Sequence, residues 1–177
     1  MRELDIFLQD IEKRAFRMAQ LATHSEADAL DIVQEAMIKL ATKYSERNPS
    51  EWKPLFFKIL ENRILDWHRK QTVMRKIFFW RKEGPDTDEH SELTHEVADY
   101  QFDPESQLAS EQLGTHLLSA IESLPMKQQQ CFLLRSWEGL STKETAEVMN
   151  INKNSVKTHY ARALSKLKHQ QENLEHT

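Results

Sequence analysis

The stretch from Ser141 to Arg162 constrains the fold more than any other part of the chain. Ser141-Thr142-Lys143-Glu144 has the form of a capping box, in which the serine hydroxyl and the glutamate carboxylate reciprocally satisfy the first backbone donors of a helix. A short helix to about Met149 follows. Asn150 then stands where the chain must turn sharply, and asparagine tolerates left-handed backbone angles better than other residues with a side chain. Asn152 is a favourable N-cap for a second helix, which Val156, Tyr160, Ala163 and Leu167 hold to a core at spacings of four, three and four. Small Ala146 lets the two helices approach closely. These constraints define a helix-turn-helix from Thr142 to about Ala161. Its second helix presents Lys153, Asn154, Ser155, Lys157, Thr158, His159 and Arg162 at or beside its outward face, a set suited to base edges and phosphates of a DNA major groove.

The rest of the sequence is helical in character. Only three glycines occur in 177 residues, and β-branched alternation is scarce, so an all-α fold of two small helical domains is expected. Leu4, Leu8, Ile11, Ala15, Met18 and Ala22 make the stripe of a first helix. A second begins at Ser25, with Ile32, Val33, Ala36, Met37 and Leu40 inward and Asp31, Gln34 and Glu35 together on the opposite face. After the breaker segment Ser45 to Ser50, a long third helix carries Trp52, Leu55, Phe56, Ile59, Leu60 and Ile64, with Pro54 expected in its first turn. Beyond residue 107, Leu113, Leu117, Ile121 and Leu124 form another stripe, stopped by Pro125. The polar end, Gln170 to Thr177, is expected to fray.

Charge is segregated. The net charge of −4 conceals nine acids and no lysine or arginine between Glu83 and Glu105, leaving 24 bases against 19 acids elsewhere. The bases gather at Arg63 to Lys82 and at Lys153 to Lys168, so two basic units flank an acidic connector, an arrangement favouring polyanion contact at both. The expected organisation is a domain over residues 1–80, a flexible acidic linker over 81–107, a second domain over 108–170 and a tail over 171–177.

At this point the sequence resembles the extracytoplasmic-function group (group 4) of the sigma-70 superfamily of RNA polymerase initiation factors. Ile121-Glu122-Ser123-Leu124-Pro125, Trp137-Glu138-Gly139-Leu140-Ser141, Glu144-Thr145-Ala146-Glu147 and Ser155-Val156-Lys157 look like the family's region 4, whose helix-turn-helix reads the −35 promoter element. Asp31-Ile32-Val33-Gln34-Glu35-Ala36-Met37 is similar to the region 2 helix that docks on the clamp coiled coil of the polymerase β′ subunit. Phe57 to Trp67 resembles the helix that engages the −10 element. The resemblance therefore implies polymerase contact through Asp31, Gln34 and Glu35. It implies −10 contact through Arg47, Asn48, Trp52, Asn62, Asp66, Arg69 and Lys70, and −35 contact through the seven residues of the second helix of the helix-turn-helix. Trp52 and Trp67 sit at helical apolar spacings, so by pattern alone each is as well suited to a core as to base stacking. The implied partners are core RNA polymerase, through the β′ clamp and the β flap, promoter DNA and an anti-sigma factor. The sequence departs from the family pattern at Leu55 and Gln129, and its departures at Asn150 and His159 mean that the −35 base contacts do not carry over one for one.

Other classes find little support. The charged N-terminus has no apolar run behind it and no stretch reaches the ~20 residues of a membrane span, so a cytoplasmic protein is expected. Cys131 lies in an apolar run and is expected to be a buried thiol. The eight histidines show no ligand spacing, and no phosphate loop or nucleophile-base pair is visible, so neither a metal or other cofactor, a small-molecule substrate nor independent catalysis is expected. The alternatives are a stand-alone helix-turn-helix regulator that binds DNA without polymerase, and an interaction protein whose basic faces meet acidic protein or RNA. The cluster Ile77-Phe78-Phe79-Trp80 is expected to close the first domain by local packing, the alternative being a partner surface.

Overall fold

The computed structural model describes residues 2–82 and 108–176, and these are helical with no strand among them. The helices are α1 (Arg2–Thr23), α2 (Glu26–Lys43), α3 (Pro49–Lys82), α4 (Leu108–Glu122), α5 (Met126–Phe132), α6 (Thr142–Met149) and α7 (Lys153–Glu175), with a π-helical turn, Leu133–Trp137, between α5 and α6. The acidic stretch 83–107 expected to be a linker lies outside the described residues, as does the Leu113 side chain.

Helices α1, α2 and α3 pack on one another, and α4, α5 and α6 gather on α7. The six apolar positions of the α1 stripe are all buried, as are Ile32, Val33, Ala36 and Leu40 of α2 and Phe56, Ile59, Leu60 and Ile64 of α3. Each such large side chain withdrawn from water contributes about 1.5–3 kcal/mol. Phe56 and Phe57 meet edge to face with centroids 5.5 Å apart, the geometry that aromatic quadrupoles favour. In the second group Ile121, Leu134, Ala146, Val156 and Ala163 are buried, together with Cys131. Burial, and next the nearby Glu61 carboxyl, push the Cys131 thiol up to about 12, so it stays protonated and unreactive.

Helix boundaries follow the capping chemistry. The Ser25 hydroxyl accepts from the Asp28 amide, the Ser141–Glu144 capping box is fully formed, and the Asn152 side chain accepts from the Ser155 amide. Three expectations are corrected. Helix α3 starts at Pro49, because Asn48 caps it by accepting from the Ser50 amide at 3.1 Å, so Pro54 lies in the second turn and not the first. At its other end α3 continues through Arg81 and Lys82, which had been assigned to the linker. Helix α7 continues to Glu175 instead of fraying at Gln170, whose Nε2 donates to Ser123 Oγ at 3.2 Å.

Asn150 closes α6 at φ 54° and ψ 46°, the left-handed conformation that the turn requires. Replacing it by valine should cost about 1–2 kcal/mol, since a β-branched side chain is strained there, whereas Asn150→Gly should be near neutral. Denaturant unfolding of the two variants distinguishes these outcomes; equal losses would mean that the side chain, and not the backbone angle, matters.

Candidate nucleic-acid and polymerase interface

Three exposed surfaces carry the candidate residues. On α2, Asp31, Gln34 and Glu35 all face solvent while the intervening Ile32, Val33 and Ala36 are buried, so the helix turns its acid-amide-acid face outward by the same periodicity that anchors it. The Glu35 carboxylate meets Arg63 of α3 at 3.3 Å. Arg63 therefore holds one member of this face in place, a role visible in the sequence only as one charge in a basic cluster.

On α3 and the loop before it, Arg47, Asn48, Asn62, Asp66, Arg69 and Lys70 are exposed. Arg47 lies 4.0 Å from Glu51, and Arg69 pairs with Asp66 at 3.2 Å across one turn. Trp52 is different. It is 5% exposed, its ring lies 5.9 Å from that of Phe7, and its indole N–H donates to the Tyr44 carbonyl at 3.2 Å. The indole therefore has no free face for a base, and its reading as a stacking platform is corrected to a core residue that ties the 44–48 loop to α3.

On α7, Lys153, Asn154, Lys157, Thr158 and Arg162 are exposed and Ser155 and His159 are half-buried. Burial first, and then the positive charges of Lys127 and Arg162, hold the His159 imidazole below its ordinary value. It is neutral at pH 7, so the cationic groups of this face are Lys153, Lys157 and Arg162. Arg135, which the sequence reading did not single out, braces the helix-turn-helix: its guanidinium lies 5.4 Å from the Tyr160 ring centre and donates to the Leu140 carbonyl.

The cluster Ile77 to Trp80 does not close the first helical group. All four residues are exposed, Trp80 to 81%, on a part of α3 that projects past its packing partners. Among the described residues there is no group of three or more His, Cys, Asp or Glu side chains able to hold a metal ion, and no helix is long and apolar enough to cross a membrane.

Comparison with known proteins agrees with this geometry. The family model for sigma-70 region 2 matches residues 6–73, and that for sigma-70 region 4 matches residues 116–167. The RNA polymerase sigma factor SigV of Bacillus subtilis is 32% identical over 158 residues, covering 89% of this chain and 84% of SigV. The ECF RNA polymerase sigma factor SigX of the same organism is 26% identical over 170 residues, covering 93% of this chain and 79% of SigX. Among solved structures, the sigma factor RpoE in complex with the anti-sigma factor NepR from Bartonella quintana shares the fold, with a TM-score of 0.61 at 19% identity over 94% of this chain and 96% of that one. With both conserved regions present, in order and on the expected helices, the chain belongs to the extracytoplasmic-function group of sigma-70 RNA polymerase sigma factors.

Proposed function

We propose that the chain directs core RNA polymerase to promoters by dividing the task between its two helical groups. Residues 1–80 dock on the β′ clamp through Asp31, Gln34 and Glu35 and engage the −10 element through Arg47, Asn48, Asn62, Asp66, Arg69 and Lys70. Residues 108–170 contact the β flap and set the register at −35 through the α7 face. Like RpoE in its complex with NepR, the chain is suited to control by an anti-sigma factor. Catalysis of RNA synthesis remains with polymerase. The observation that carries this reading is the simultaneous exposure of an acidic α2 face and a basic α7 face on one chain: the first suits a protein partner, the second a nucleic acid. A stand-alone regulator has no need of the α2 face.

The α7 assignment is tested by salt dependence. Lys157 and Arg162 are positioned for phosphate contact, and each phosphate neutralised contributes about 0.9 to the slope of log affinity against log salt. Lys157→Ala and Arg162→Ala should each lower that slope by about one in holoenzyme binding to a promoter bearing the −35 element. An unchanged slope in both variants would remove α7 from the DNA interface.

A further inference from the structure

From Thr72 to Arg81 every residue of α3 is exposed, so the end of this helix stands clear of the first helical group on all sides. The sigma-70 region 2 match stops at residue 73 and the region 4 match begins at residue 116, which leaves the cluster Ile77 to Trp80 outside both. Val73, Met74, Ile77, Phe79 and Trp80 are each at least 45% exposed. Large apolar side chains gathered at one exposed place mark an interaction surface.

The cluster is in phase with the proposed −10 face. Asn62, Asp66, Arg69, Val73, Ile77 and Trp80 follow one another at steps of four, three, four, four and three, so they fall within an arc of about 80° and form one stripe of the helix. All six are exposed. Trp80 stands eighteen positions beyond Asn62, or about 27 Å along the axis at ~1.5 Å per residue. That is the length of about eight base pairs at ~3.4 Å each.

Charge selects the occupant. The sequence from Arg69 to Lys82 holds six bases, Arg69, Lys70, Arg75, Lys76, Arg81 and Lys82, and no acid. Among the described residues Arg69 pairs with Asp66, while Lys70, Arg75, Lys76 and Arg81 meet no carboxylate. A polyanion is therefore the complement. Lys70, Lys76 and Arg81 each lie within about 40° of Ile77 or Trp80 around the helix, so cations and apolar groups are interspersed on one face. A helix that lies on a lipid surface separates the two, whereas a nucleic-acid surface mixes them, with cations for phosphates and apolar groups for sugars and bases.

We propose that the tip of α3, Val73 to Arg81, is a further promoter-contact surface that seats on the duplex spacer adjoining the −10 element, with Lys76 and Arg81 on phosphates and Ile77 and Trp80 against the groove wall between them. The proposal rests on the reading that α3 faces the −10 element. Chain order gives the direction: α7, which reads −35, follows α3, so the C-terminal end of α3 is where the chain leaves −10 toward the upstream element. The DNA on that side is double-stranded. Contacts to phosphate and sugar add affinity and fix position without adding sequence preference.

The test uses holoenzyme assembled from core polymerase and the full chain. Wild type, Ile77→Ala with Trp80→Ala, and Lys76→Ala with Arg81→Ala are each titrated with two fork probes that lack a −35 element. The short probe ends at the upstream edge of −10, and the long one carries about ten further base pairs of duplex, slightly more than the tip can reach. The substituted positions are exposed, so the fold should be unaffected, as circular dichroism would verify. Added duplex should tighten wild-type binding at least tenfold. Both variants should lose most of that gain and bind the short probe as wild type does. The basic variant should also lower the salt slope on the long probe by about two, and the apolar variant should leave it unchanged. A wild type that gains nothing from the added duplex, or variants that keep the gain, would overturn the proposal. So would equal losses on both probes. Variants that keep the gain but lose binding to vesicles of anionic phospholipid would make the tip a lipid surface instead. Asn62→Ala with Arg69→Ala is read on the short probe: unchanged binding there would refute the −10 assignment of α3, a result separate from the difference between probes that reports on the tip.

Discussion

Alanine substitution of Asp31, Gln34 and Glu35 together should weaken association with core polymerase by about a thousandfold while leaving the helical content unchanged. All three side chains point away from the core of the first helical group, so their removal costs little stability. Hydrogen bonds that involve charged groups contribute about 1.5–3 kcal/mol each, and neutral ones less. Allowing for non-additivity, the face should supply about 4 kcal/mol, which at ~1.4 kcal/mol per factor of ten gives the stated loss. Glu3→Ala with Asp5→Ala removes two comparable charges from the exposed start of α1 and should change binding little. Arg63→Ala should give an intermediate defect, because it frees the Glu35 carboxylate that Arg63 holds at 3.3 Å. Binding of fluorescent polymerase to each variant measures all three. Equal weakening by the α1 and α2 substitutions would reduce the effect to net charge.

The second large effect concerns the buried carboxyl of Glu61. Burial pushes it up from 4.5 to about 7, and among the described residues no ion pair offsets the lost hydration. The folded chain therefore keeps this proton up to about pH 7, while the unfolded chain releases it near 4.5. Folding takes up a proton within that window, so the stability associated with the neutral carboxyl is fully present below pH 4.5 and is lost as pH rises through 7. The shift corresponds to about 3 kcal/mol above pH 7, at 1.36 kcal/mol per pH unit. Glu61→Gln keeps the shape of the neutral acid without the charge. Its unfolding free energy at pH 8 should exceed that of wild type by about 3 kcal/mol, and the two should converge near pH 4.5. Denaturant titrations at both pH values measure the difference. A variant no more stable than wild type at pH 8 would show that the Glu61 carboxylate is solvated or paired in solution.

How much of this was legible in the sequence depends on the range of the interactions. The helix-turn-helix was readable in detail because its determinants are local: Ser141 and Glu144 cap over three residues, Asn150 sets its own backbone angles, and Asn152 caps the next turn. The α2 face was readable for the same reason, since buried and exposed positions alternate with helical period. Trp52 was not, because an aromatic at an apolar spacing serves equally well as core or as platform, and only its burial against Phe7 and its bond to Tyr44 separate the two. The contacts of Glu138 with Lys53 and Arg14 join residues 85 and 124 positions away, and no periodicity encodes such a pairing. A faint signal existed in an acid placed between Trp137 and Gly139, but nothing in the sequence names its partners. Ile77 to Trp80 misled in the opposite sense: apolar composition suggested packing, yet α3 runs past the helices that could have covered it.

The proposed function rests on the exposed acidic face of α2 and the exposed basic face of α7. The most direct measurement adds the purified chain to sigma-free core polymerase and maps RNA 5′ ends on a library of genomic promoters. The account predicts initiation at a defined subset of start sites preceded by shared −35 and −10 sequences, dependent on the chain and lost in the Asp31, Gln34 and Glu35 alanine variant. Tight, sequence-specific binding to duplex DNA by the chain alone, with no specific starts when polymerase is supplied, would contradict it.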